Sequence, residues 1–164
     1  MKLRPPDAES DFSDGEAFEA VLAEAWEPQY GTTNNPFLGV QKIKVSLVHE
    51  HPPTSQIFKL WQIYLDNVDP LFKITHRPSL QARIVEAVGD LGAIDSALEA
   101  LLFSIYCMAL RSLDEEECMQ AFGWNKDGFI AKYESICQLA LSNANYMQTD
   151  SRDSLTALFL YLVK

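Results

Sequence analysis

Three histidines and two aspartates are the residues of this chain whose type and spacing could support chemistry. His49 and His51 flank Glu50, and imidazoles beside a carboxylate can ligate zinc, but the neighbouring sequence supplies no further ligand. His76 precedes Arg77 and a proline in a predicted turn, where no nucleophile or acid accompanies it. We therefore predict that these histidines satisfy backbone groups in loops and helix junctions.

The two aspartates, Asp66 and Asp69, lie three residues apart at the predicted end of a helix. This spacing is similar to the carboxylate pairs that hold magnesium in helical prenyl-transfer enzymes, but the sequence contains no second acidic motif of that kind. It also contains no GxGxxG, P-loop, GxSxG or HExxH pattern. We interpret both aspartates as solvating and capping the helix end, and we predict a non-enzymatic protein without catalytic, cofactor-binding or metal-binding residues.

Composition narrows the class of protein further. With 164 residues, 48% of them hydrophobic, the chain is long enough for one domain, which would bury roughly 70% of its unfolded surface. Its net charge of -10 argues against direct nucleic-acid binding. The start lacks the apolar region of a secretory signal, and no apolar run approaches the roughly 20 residues of a membrane span. Cys107, Cys118 and Cys137 have no CxxC spacing, which favours reduced thiols in an intracellular protein.

Charge and helix-breaking residues divide the chain into two parts. Residues 7–27 hold eight acidic and no basic residues, and their apolar residues predict a short amphipathic helix from about Asp14 to Trp26. The same composition is typical of activation segments that fold on a partner, so a solvated or docked arm and an activation-like segment are both open interpretations. We predict an acidic arm and linker over 1–48 and a helical domain over 49–164.

Six amphipathic patterns predict an all-α fold, an irregular multi-helix domain of about six helices. The first helix follows a proline pair, and we expect Pro70 to end it. The pattern from Ser96 to Arg111 has almost no charge and predicts the most buried helix. The last pattern begins near Ser151 and predicts an inward face of Leu155, Leu158, Phe159 and Leu162. The sequence stops within this pattern, which predicts that the chain is part of a larger helical domain.

Local signals also predict where several helices begin and end. Ser96 with Glu99, and Ser112 with Glu115, have the spacing of capping boxes. Gly123 occupies the position of a C-terminal cap for the short acidic helix before it. Either Asn125 or Asp127 can cap the helix that follows.

Ordered sequence blocks between residues 51 and 164 resemble a known family. The blocks are HPPTSQIFKLWQIYLDNVDPLFKITHRPSL, LEALLFSIYCMALRSLDEEEC, the FGW turn, and AKYESICQLALSNANYMQTDSRDSLTALFLYL. Together they are similar to the start of the fungal-specific regulatory domain, the middle homology domain, of fungal zinc-cluster transcription factors. The resemblance implies an all-helical, non-catalytic regulatory domain of nuclear proteins. These proteins act on transcription by RNA polymerase II, and many control carbon use or secondary-metabolite clusters.

Two departures from the family pattern limit what this chain is expected to do. The family binds DNA through a six-cysteine zinc cluster with basic flanks, whereas the segment before His51 is acidic and has no cysteine. No zinc ligand or DNA-contacting residue is therefore assigned to this chain. The family domain also continues beyond the position that matches Lys164, so the last helix would lose packing partners.

These departures predict a fragment, a truncated gene model or a short paralogue. We expect it to bind proteins, either through self-association or through a full-length factor, or to respond to a small effector. We expect no direct contact with nucleic acid or membrane. The alternative hypothesis is a stand-alone helical protein that binds a small molecule or catalyses a biosynthetic step.

Overall fold

The computed structural model describes residues 44–163, which form helices and connecting loops without a β-strand among them. The α-helical segments are α1 Thr54–Ile63, α2 Asp69–Phe72, α3 Arg77–Gly89, α4 Ser96–Ser112, α5 Glu115–Phe122, α6 Lys126–Asn143 and α7 Arg152–Leu162. A π-helical turn over Tyr64–Val68 joins α1 to α2, so the segments make six helices. The predicted all-α class is confirmed. The predicted helix from Asp14 to Trp26 lies outside the described residues.

Helix α4 is the centre of the domain. Every residue from Ala97 to Leu110 is buried, and α1, α6 and α7 pack around it. Between its N-cap and Arg111 the helix carries one charged side chain, Glu99. An almost uncharged helix of this kind is stable only when it is covered on all sides. The prediction that α4 is the most buried helix is confirmed.

Helix α1 presents one apolar face to α4. The buried residues of this face, continued through the π-helical turn, are Ile57, Leu60, Trp61, Tyr64 and Val68. Their spacing places them on one side of a helix, as periodicity predicts. This agreement extends to α6, whose buried residues are Tyr133, Ile136, Cys137, Ala140 and Leu141.

The first helix continues through Pro70, contrary to the prediction. In the π-helical turn the backbone N–H of Asp69 donates to the carbonyl of Tyr64, five residues back. Pro70 then lies in the first turn of α2, where its missing N–H is not required. The helix instead ends at Lys73, which adopts the left-handed conformation with φ of 51°. Its N–H donates to the Asp69 carbonyl at 2.8 Å.

Aspartates, rather than the predicted serines, cap α4 and α5. The Asp95 carboxylate accepts hydrogen bonds from the second and third backbone N–H groups of α4, so the capping box predicted from Ser96 is wrong. The capping box of α5 consists of Asp114 and Glu117, not of Ser112 and its partner. A carboxylate satisfies free N–H groups and also interacts favourably with the positive end of the helix dipole.

Two other predicted boundaries agree with the structure. Gly123 ends α5 in the left-handed conformation, with φ of 71°, and its N–H donates to the Met119 carbonyl at 2.8 Å. This conformation favours glycine because it has no Cβ atom. Asn125 caps α6, since its side-chain oxygen accepts a hydrogen bond from the Gly128 N–H at 2.9 Å.

Candidate interaction surface

Helix α7 is turned so that three of its large apolar side chains face outward. Its buried residues are Ser154, Ala157 and Leu160. Leu155, Phe159 and Leu162 are 52%, 41% and 69% exposed, and Leu158 is half-buried. The predicted inward face is therefore wrong.

The orientation of α7 follows from small residues at its contact with α4. The Oγ atom of Ser104 lies 3.0 Å from the carbonyl oxygen of Ala157 and 2.9 Å from that of Ala100. The single hydroxyl proton of Ser104 can therefore bond either carbonyl. The same Oγ lies 3.1 Å from the Cys137 sulfur on α6. Alanine and serine allow the helices to come close enough for this contact, which a leucine at position 157 would prevent.

We call the exposed side of α7 the α7 outer face and define it by Leu155, Phe159, Leu162 and Val163. Phe72 of α2 packs edge-on against Phe159, with ring centroids 5.7 Å apart. This contact brings the C-terminal end of α2 beside the outer face, and the preceding residue, Leu71, is 77% exposed. Adjacent exposed apolar side chains of this size are typical of protein-binding surfaces.

Asp66 and Asp69 point to different environments. Asp69 is only 3% exposed; its carboxylate accepts hydrogen bonds from Thr75 Oγ1 and Arg77 Nε, both at 2.6 Å. Asp66 is exposed and accepts a hydrogen bond from the Gln62 amide. The two carboxylates therefore do not form a magnesium-binding pair. Asp69 instead fixes the link between α2 and α3.

A phenol belongs to the same buried polar region as Asp69. Burial raises the pKa of Tyr64, against an opposing hydrogen-bond contribution from Thr75, and the negative charge of Asp69 raises it further. Sequence reasoning missed this region because its members come from a helix, a loop and the next helix.

His49 and His51, which lie two residues apart in the sequence, differ in burial. His49 is exposed, whereas the side chain of His51 is fully buried. The Nδ1 atom of His51 lies 3.4 Å from the hydroxyl of Tyr106. Its Nε2 atom lies 3.5 Å from a Glu99 carboxylate oxygen, which is ion-pair distance but without hydrogen-bond geometry. Burial raises the pKa of Tyr106. The contacts of His51 with Tyr106 and Glu99 join the chain before α1 to α4.

The other residues singled out by the sequence also have structural contacts. His76 is the N-cap residue of α3, and its Nδ1 atom lies 2.6 Å from Ser79 Oγ. Cys107, Cys118 and Cys137 are buried in α4, α5 and α6. Burial also raises the pKa of Cys118 and so favours its neutral thiol.

Among residues 44–163 no three histidine, cysteine, aspartate or glutamate side chains are grouped so that they could hold a metal ion. None of the helices formed by these residues combines the length and apolar character needed to cross a membrane.

Curated proteins similar to this chain are fungal transcription regulators. Transcriptional regulator AacuB of Aspergillus aculeatus is 46% identical over 146 residues, which cover 88% of this chain and 20% of AacuB. Transcriptional regulator nsrM of Aspergillus novofumigatus is 41% identical over 170 residues, covering 99% of this chain and 24% of nsrM. The aurofusarin cluster transcription factor aurR2 of Gibberella zeae is 34% identical over 118 residues, covering 72% of this chain and 18% of aurR2.

The chain is a homologue of fungal transcription regulators. Other matching proteins are named C6 finger domain transcription factors, and these names support a relationship between this chain and the zinc-cluster family. The homologue spans about a quarter or less of the length of the regulators it matches. No family model matches the chain, and no solved structure matches it.

The residues of this homologue do not fit a six-cysteine zinc cluster. Its 164 residues include three cysteines, and each of these is buried in a different helix of the core. Thiolate ligands of zinc must be brought together around the metal. The cysteines of this homologue are core residues, and no zinc chemistry is assigned to them.

Proposed function

We propose that this homologue is a partial regulatory domain, corresponding to the start of the middle homology domain. It modulates transcription by RNA polymerase II through protein contacts rather than through catalysis. The α7 outer face is the observation that carries this proposal, because it exposes Leu155, Phe159 and Leu162 at helical spacing beside Leu71. The name of aurR2, which refers to the aurofusarin cluster, supports a role in secondary metabolism.

The proposed occupant of the α7 outer face is a helical segment of a longer regulator. The matched parts of AacuB and nsrM are 20% and 24% of those proteins, so most of each regulator lies outside the similarity. An amphipathic helix that packed on Leu155, Phe159 and Leu162 would cover the outer face as α4 covers the inner one. Recognition of this kind depends on apolar anchors three or four residues apart.

Co-purification with nsrM tests the proposed docking. The probe is nsrM without the segment that matches this chain, so that its own copy does not occupy the site. We expect this chain, when tagged and immobilised, to retain the nsrM probe. Leu162→Asp should weaken retention at least about tenfold, because it buries a charge without a partner.

Met119→Asp is the matched control for this experiment. Met119 is also an exposed apolar residue, 50% accessible, but it lies on α5. Retention that is unchanged by Leu162→Asp, or reduced equally by both variants, would contradict the assignment of the surface. If the chain itself elutes as a dimer, and Leu162→Asp makes it monomeric, the occupant of the α7 outer face is a second copy of the chain instead.

We also propose that the homologue acts in the nucleus without contacting DNA itself. Its net charge of -10 is unfavourable for phosphate binding. A fluorescent fusion expressed in an Aspergillus host should accumulate in nuclei. Specific binding of duplex DNA by the purified chain, measured by fluorescence anisotropy, would contradict the second part of this proposal.

A further inference from the structure

A small cleft lies between the N-terminal turns of α3 and α7, and Leu101 of α4 is part of its lining. Its volume is about 180 Å³. Ile74, Leu80 and Leu101 form its apolar part, and hydroxyl, imidazole and guanidinium groups from α3 and α7 line the rest. The α7 residues that line the cleft are Arg152, Asp153 and Thr156, so no residue that defines the α7 outer face belongs to the cleft lining.

The charged groups of the cleft do not balance one another. The Arg83 guanidinium donates to the Asp153 carboxylate, and this hydrogen bond raises the pKa of Arg83. These two charges therefore compensate each other. Arg152 also lines the cleft, is exposed, and pairs with no carboxylate among residues 44–163. Among the side chains that line the cleft, two arginines therefore face one carboxylate; Asp95, which is not part of the lining, also acts electrostatically on Arg83.

The cleft lining also contains hydrogen-bonding groups that do not belong to this ion pair. His76 and Ser79 are linked through Nδ1 and Oγ at 2.6 Å. If the serine hydroxyl donates in this bond, the imidazole carries its proton on Nε2 and can donate that proton to a ligand. The charge and this donor suit an anion, whereas the three apolar side chains suit a hydrocarbon group.

The volume of the cleft limits the size of its ligand. It is smaller than the approximately 300 Å³ of typical small-molecule pockets. We propose that the cleft binds a small organic carboxylate with a compact apolar body, and that Arg152 provides the counter-charge. This inference goes beyond the proposed function, because binding of such an acid does not depend on a docked protein.

Benzoate is a suitable probe, because it joins one carboxylate to a flat apolar ring. Backbone amide shifts of the full 164-residue chain would be followed by NMR during titration. We expect saturable shifts at Thr75, Ser79 and Thr156, which line the cleft. Arg152→Gln should weaken binding about tenfold or more, because a charge-assisted hydrogen bond is lost.

Lys44→Gln is the matched control, since Lys44 is an exposed cation that does not line the cleft and its replacement makes the same change in net charge. It should leave benzoate binding unchanged. Benzamide, which has the same ring without the charge, should not bind. Equal binding of benzamide, or unchanged benzoate affinity in Arg152→Gln, would overturn the proposal.

Inorganic phosphate separates an organic acid from a simple anion. If phosphate produces the same shifts as tightly as benzoate, the apolar side chains do not contribute and the carboxylate assignment is wrong. An absence of saturable shifts with benzoate would also overturn the inference. Leu162→Asp should retain benzoate binding, so failure of the docking proposal and failure of the cleft proposal can be distinguished.

Discussion

Helices α4 and α7 are both rich in apolar residues, yet they are covered to different extents. All residues of α4 from Ala97 to Leu110 are buried. Helix α7 buries Ser154, Ala157 and Leu160, while the α7 outer face is exposed. An apolar stripe in the sequence therefore identifies an amphipathic helix, but it does not show which side of that helix meets the core.

The choice between the two sides of α7 depends on packing rather than on hydrophobicity alone. Burial of apolar area is favourable by about 25 cal/mol per Å², so hydrophobicity alone would favour burying the stripe with the larger side chains. Ala157 lets the α7 backbone approach α4, so that the Ala157 carbonyl oxygen lies 3.0 Å from the Ser104 Oγ atom inside the core. A larger residue at the contact would prevent this approach. The larger side chains are consequently left on the outer face.

The largest expected effect comes from removing a side chain of α4. Leu102 is almost fully buried, and Leu102→Ala should lower the free energy of unfolding by about 2–5 kcal/mol, since it leaves a cavity in the core. Urea denaturation followed by circular dichroism measures this loss. A decrease below about 1 kcal/mol would mean that α4 is packed less tightly than the structure indicates.

Enlarging a residue on the inner face of α7 should have the next largest effect. Ala157→Leu should lower the free energy of unfolding by about 1–3 kcal/mol, because its added atoms must separate α7 from Ser104. The same denaturation experiment applies. The control is Ala131→Leu on the exposed side of α6, which should change stability by less than about 0.5 kcal/mol. Equal effects of the two variants would show that the α4–α7 contact is not tight.

The sequence predicts this fold well where one interaction dominates. Helix α4 has almost no charge, and α1 has a single wide apolar stripe, so burial has only one solution for each. The path of α1 through Pro70 was not predictable in the same way. A proline normally ends a helix, and the π-helical turn that accommodates it depends on a hydrogen bond five residues back, which no sequence pattern specifies.

The candidate sites were less predictable because they depend on tertiary contacts. Asp69 and His51 have ordinary sequence neighbours, yet the structure places them beside Arg77 and Glu99, respectively. The cleft joins α3 to α7, about seventy positions apart in the sequence, as the Arg83–Asp153 pair shows. The exposed apolar residues of α7 were identified from the sequence, but they were assigned to the wrong side.

Alkaline pH should destabilise the packing of α6 against α4, by less than either of these substitutions at its expected maximum. Tyr133 of α6 packs against Tyr106 of α4, and burial raises its pKa from 10.0 to about 12. The folded state therefore keeps a proton that the unfolded state loses. This contribution to stability is complete below pH 10 and is lost as the pH rises through the folded pKa. Near pH 11 the loss should be about 1 kcal/mol.

Tyr133→Phe tests this pH dependence, because it keeps the ring and removes the ionisable hydroxyl. Denaturation at several pH values should show a smaller alkaline loss of stability for the variant than for the original chain. Identical pH profiles would mean that Tyr133 ionises as readily in the folded state as in the unfolded state.

The smallest expected effect is on the α7 outer face. Leu162→Ser should change the free energy of unfolding by less than about 0.5 kcal/mol, because a side chain that is already exposed loses little burial. The same substitution should reduce retention on a hydrophobic column, since retention depends on exposed apolar surface. A loss of more than about 1 kcal/mol would mean that Leu162 is covered in solution. In that case the two sides of α7 would contribute similarly to stability, and the outer face would not be free to bind a partner.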